Sequence, residues 1–116
     1  MSRDDPLLLD MLFAARRARG HVAGMTQTQF MASELHQDAA IRSLEVIGEA
    51  ASQVSAEVRG AHPEIPWRDI IGMRNRLIHA YSNISLDTVW DVLRTKLPEL
   101  IATLTPLIPP DDTESP

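Results

Sequence analysis

The chain contains no cysteine, which excludes disulfides, thiolate metal sites and a cysteine nucleophile and is compatible with a reducing cytosol. No apolar run approaches the roughly 18 residues that a membrane span needs. The opening "MSRDDPLLLDMLFAARRARG" does not read as a secretory signal: acids precede its apolar run, Asp10 interrupts it, and the arginines follow it. The expected location is cytoplasmic. Glycine-rich phosphate loops, strand-like alternation and internal repeats are also missing. Positive charge is in short supply, with 11 Lys and Arg against 16 Asp and Glu for a net charge of −5. That balance argues against broad, sequence-independent binding to nucleic acid, because Lys and Arg on phosphates supply most of such affinity. Three of the acids, Asp111, Asp112 and Glu114, lie in the closing "PPDDTESP"; setting them aside leaves −2, and the centre of the chain still offers Arg59, Arg68, Arg74 and Arg76.

With 116 residues, 44% of them hydrophobic, the chain is long enough for one domain with a modest core. The expected organisation is a helical domain over 1–108 and a disordered acidic tail over 109–116. Asp4, Asp5 and Pro6 form a helix start, and Leu8, Met11, Leu12, Ala15 and Ala18 keep helical spacing until Gly20. After the turn-like "GHVAGMT", a long pattern runs from about Gln27 to Glu57 through Phe30, Leu35, Ala39, Ile41, Leu44, Ile47, Ala51 and Val54, with a break expected near Ser33. Asp38, Arg42, Glu45 and Glu49 make a polar stripe on its other side. Gly60 is the expected close of that helix, and "HPEIP" reads as a rigid extended connector.

A further helix is expected from near Pro66 to about Tyr81, and a last one is capped by Ser85 and runs to Leu104. Pro98 inside the last helix removes a backbone donor and should kink it near Arg94. The fold class is therefore all-α, an antiparallel bundle of four to five helices. Gly48 in mid-helix costs about 1 kcal/mol relative to alanine. Its position therefore predicts close approach of another helix, with the one from Pro66 to Tyr81 as the partner.

The residues that ask for chemistry are in "GMRNRLIHAYSNI", Gly72 to Ile84. His21, His36 and His62 stand alone, with no second ligand at metal-binding spacing, so no metal site is expected. His79 differs because Asn75 precedes it by four residues and Arg76 by three, close enough on a helix to share its face. Arg74, five before it, lies roughly 140° away around an ideal helix. A site shared by Arg74 and His79 needs a long reach, a distorted helix end, or a second copy of the helix across a two-fold axis. Against any site stands the ordinary alternative: a capping histidine, snorkelling arginines and a half-buried Tyr81 at a helix end.

The run "RNRLIHAY", with "LEVIGEAA" at Leu44 to Ala51, "PEIPWRDIIGMRN" at Pro63 to Asn75 and "TVWDVLRTKLPEL" at Thr88 to Leu100, resembles the HepT-type toxins of the HEPN superfamily of helical ribonucleases. The likeness extends from the first helix to about Leu104. It implies a HEPN-like homodimer whose two motifs face one cleft, and a metal-independent endoribonuclease that needs no cofactor. It also implies a toxin–antitoxin pairing with a minimal nucleotidyltransferase that transfers AMP to Tyr81. By that resemblance Arg74 and His79 are the catalytic pair. RNA brings its own nucleophile, the 2′-hydroxyl; an imidazole titrating near neutrality can take or return its proton, and an arginine fork steadies the charge of the phosphorane. Asn75 is the expected orienting residue and Arg76 a supporting RNA contact; Glu49 and Arg42 are candidates to order Arg74 or Arg76. Two rival readings are a non-catalytic HEPN-like module that docks a nucleotidyltransferase or a nucleotide, and a dimerising helical adaptor.

Overall fold

The computed structural model describes residues 3–79 and 84–109, and among these every regular element is helical. Helix α1 spans Asp5–His21, α2 Gln27–Met31, α3 Glu34–Gln53, α4 Ala56–Ala61, α5 Trp67–Ile78, α6 Leu86–Asp91 and α7 Leu97–Leu104. A π-helical segment, Val92–Lys96, joins α6 to α7, and a 3-10 turn, Thr105–Leu107, follows α7. Helix α3 packs on α1 along one side and on α5 along the other, while α7 closes over α1. The all-α bundle expected from the helical spacing is what forms.

The core is built from the apolar stripe of each long helix: Leu8, Met11, Leu12, Ala15 and Ala18 from α1, and Ala40, Leu44, Ile47 and Ala51 from α3. Phe30 and Trp90 meet across it at 5.2 Å between ring centroids. Leu35, expected in the stripe, is 75% exposed; it sits in the first turn of α3, ahead of Ala40, the first buried residue of that helix.

The helix boundaries follow from caps. Thr26 accepts from the Gln29 amide and returns the favour through the Gln29 side chain, a capping box. Ser33, Ser55 and Ser85 each accept an amide three residues on. Gly24 takes φ +78°, a left-handed value that glycine adopts at no steric cost, and so turns the chain between α1 and α2. The break at Ser33 is as expected. The end of the long helix is not: α3 stops at Gln53 and Gly60 lies inside the short α4. The corner is fixed from a distance, because Asp4, 5% exposed, accepts from the Ser55 amide and the Ser55 hydroxyl, each at 2.9 Å.

Before Pro98, where a kink was expected near Arg94, the helix changes type. The helix widens into a π segment in which the Leu97 amide donates to the Val92 carbonyl. In the same register the next donor would be residue 98, and proline has no N–H, so the Leu93 carbonyl is left over. Arg19 Nη1 of α1 donates to that carbonyl at 3.0 Å.

Candidate functional site

Helix α5 carries the sequence motif and lies at the edge of the bundle. The connector before it is anchored by Ile65, 2% exposed, and by Trp67, whose indole N–H donates to the His62 carbonyl at 3.0 Å. Trp67 is the one residue of α5 that is buried, so it is not part of any free apolar surface on this helix. Ile70, Ile71, Met73 and Leu77 are half-buried against the core.

Arg74 faces α3. A β-carbon placed on Gly48 would stand 2.8 Å from Arg74 Cγ, closer still to Arg74 Cβ, and 3.2 Å from the Ile70 carbonyl oxygen. The glycine is what lets the two helices meet at this depth, as its position in the sequence predicts. Beyond that crossing the guanidinium is held on two sides: Nη2 pairs with Glu49 Oε2 at 2.8 Å and Nη1 donates to Asn75 Oδ1 at 3.0 Å. Asn75 thus orients Arg74, whereas helical spacing alone had matched it to His79. Glu49, from the polar stripe, is the partner of Arg74; Arg42 pairs with Glu45 instead, at 3.7 Å.

His79 is exposed and closes α5 with φ −102° and ψ 110°. The helix therefore ends at Ile78, three residues short of the expected Tyr81, and the 140° offset of an ideal helix does not carry through to the imidazole. The distorted helix end, one of the three routes to a shared site, is present. Tyr81 falls outside the described residues. Arg76 is exposed and, two residues past Arg74, is about 200° around the helix from it. It lines a shallow groove with Arg68, Gly72 and Thr88, so α5 alone does not bring Arg74 and Arg76 together. Among the described residues no cluster of three or more His, Asp or Glu could hold a metal ion, and no helix is long and apolar enough to cross a membrane.

A family profile described as ribonuclease HepT-like matches residues 11–107. The chain belongs to the HepT-like ribonuclease family. Among curated relatives of this HepT-like chain, a candidate RNase of Methanocaldococcus jannaschii is 30% identical over 102 residues, 86% of this chain and 94% of its own length. A protein of Thermococcus cleftensis, named as a probable ribonuclease HepT, is 39% identical over 71 residues, 61% of this chain and 64% of its own. A candidate RNase of Caldanaerobacter subterraneus subsp. tengcongensis is 37% identical over 79 residues, 68% of this chain and 70% of its own. No solved structure matches the chain. The HepT-like match covers the whole of α3 and α5, the two helices that build the Arg74 site.

Proposed function

We propose that this HepT-like chain is a metal-independent endoribonuclease, the toxin of a toxin–antitoxin pair, with Arg74 and His79 as its catalytic residues. The observation that carries the reading is the arrangement of Arg74: its guanidinium is fixed by Glu49 and Asn75 at the end of a helix that terminates in the exposed His79, in a chain of a ribonuclease family. His79 takes the proton of an RNA 2′-hydroxyl as the new O2′–P bond forms. Arg74 stabilises the added charge on the phosphorane, an interaction stronger in the transition state than in the ground state. The P–O5′ bond then breaks and the proton passes to the departing 5′-oxygen, leaving a cyclic phosphate on one fragment and a 5′-hydroxyl on the other.

The reading includes a homodimer. Helix α5 is peripheral, and a groove of about 420 Å³ lined by Ile65, Ile70, Met73 and Leu100 opens beside it, which supports a second copy packing against this edge. It also includes a nucleotidyltransferase antitoxin that transfers AMP to Tyr81, two residues past His79. The added phosphate charge and nucleoside would repel and block an RNA backbone at the site without altering Arg74 or His79.

The test is cleavage of single-stranded RNA by the purified protein in excess chelator, with analysis of the fragment ends. Persistent cleavage with cyclic phosphate ends is expected. Loss of activity in chelator, or ends that carry no cyclic phosphate, would contradict the mechanism.

A further inference from the structure

We infer that Arg68, Gly72 and Arg76 form a second phosphate-binding track, on the far side of α5 from Arg74, that holds the backbone of a single-stranded RNA. The inference rests on the ribonuclease reading and specifies where the substrate runs beyond the reacting phosphate. The three residues are spaced by four, so they stand in one row on the helix. Together with Ile84 and Thr88 they line a shallow groove of about 300 Å³. Arg68 and Arg76 lie eight residues apart, about 12 Å along the axis, a span that more than one nucleotide of an extended strand covers.

Two independent observations point to a ligand. Among the described residues neither Arg68 nor Arg76 makes an ion pair or a hydrogen bond, as is true also of Arg16 and Arg17 on α1, but Arg68 and Arg76 share one groove, whereas Arg74 on the other side of the same helix is held by Glu49 and Asn75. The row's floor is a glycine that packing does not require. Among the described residues a β-carbon on Gly72 would meet nothing within 4 Å, unlike one on Gly48, yet a glycine in mid-helix destabilises the helix relative to alanine. Two unengaged guanidinium forks on either side of a bare stretch of helix fit a chain of phosphates that comes close to the backbone. Thr88, whose hydroxyl is hydrogen-bonded to that of Ser85 at 2.9 Å, lines the groove beside them. Asp69, also in the groove, opposes an anion and supplies a test of sign.

Binding is measured with a labelled single-stranded RNA at several salt concentrations, in the His79→Ala background so that the RNA stays intact. Arg68→Gln should weaken binding and lower the slope of log affinity against log salt by about 0.7, the share of one phosphate contact on a single strand. Gly72→Leu should weaken binding while leaving the melting temperature unchanged or raised, since among the described residues a β-carbon there meets nothing within 4 Å and leucine is the better helix former. Asp69→Asn should tighten binding, and Lys96→Gln, a cation outside the groove, should leave the slope as it is. Unchanged affinity and slope in Arg68→Gln and Gly72→Leu, in a background that binds RNA, would overturn the track alone, because cleavage by the parent would still support the ribonuclease reading. Variants that lose binding to polyglutamate but not to RNA would assign the groove to an acidic protein partner and overturn it too. A background that binds no RNA, with a parent that cuts none, would overturn both.

Discussion

Replacing Gly48 by alanine probes the contact that positions Arg74. On an isolated helix the change stabilises by about 1 kcal/mol, through the lower backbone entropy of alanine. In the bundle the new β-carbon would lie 2.8 Å from Arg74 Cγ, nearer to Arg74 Cβ, and 3.2 Å from the Ile70 carbonyl oxygen. The first atoms of the Arg74 side chain and the Ile70 backbone cannot swing aside, so α5 must move outward. Overpacking of this kind costs about 1–3 kcal/mol, occasionally more, and backbone contact places it towards the upper end; the net effect is a destabilisation of about 1–2 kcal/mol. For a domain near 100 residues each kcal/mol shifts Tm by about 4–8 °C. The same displacement carries the guanidinium away from Glu49, so RNA cleavage per folded molecule should fall with stability. Thermal melting and cleavage rates measured together, with Gly20→Ala as a control where a β-carbon meets nothing within 4 Å among the described residues, make the assay. A Gly48→Ala protein that is as stable as the parent and as active would mean that the glycine does not set the α3–α5 contact.

Glu49→Gln should lower kcat several-fold without raising KM, because Arg74 loses its anchor while its charge becomes more available to phosphate; stability should change by less than about 1 kcal/mol, since the pair is partly exposed. Asp4→Ala removes a buried acceptor of two hydrogen bonds at the α3–α4 corner and should destabilise by about 1–3 kcal/mol in chemical denaturation, with the activity of the folded fraction retained. Light scattering at micromolar concentration should give a dimer, and an active monomer would remove the second copy from the account. Coexpression with the nucleotidyltransferase should add AMP to the parent but not to Tyr81→Phe, as read by intact mass; an unmodified yet neutralised parent would mean that the antitoxin acts by binding.

Elements whose signals are local were legible in the sequence. Ser85 caps the helix it was expected to cap, the break expected near Ser33 falls at that residue, and Gly48 marks a helix crossing because a glycine in mid-helix needs a reason. The boundary at Gln53 was not legible, since the period of Val54 and the polar residues after it continue the helical pattern, and the corner is held by Asp4, 51 residues away in the chain. Pro98 announced a disturbance, but not its π-helical form, nor that the carbonyl left over would be taken by Arg19, 74 residues away in the chain. At the site, the ideal period carried the motif helix through His79, where the chain in fact turns out of helical dihedrals. Asn75 was matched to His79 by the four-residue rule, whereas its side-chain oxygen accepts from its own neighbour, Arg74, at 3.0 Å.

Whether His79 moves the proton in RNA cleavage is decided by the single-turnover cleavage rate of His79→Ala beside the parent on one single-stranded RNA. His79 is exposed at a helix end, so its removal should shift stability by no more than about 0.5 kcal/mol, and helical content should be unchanged by circular dichroism. Cleavage should be abolished in this folded protein. A folded His79→Ala protein that cuts RNA as fast as the parent would contradict that role for His79.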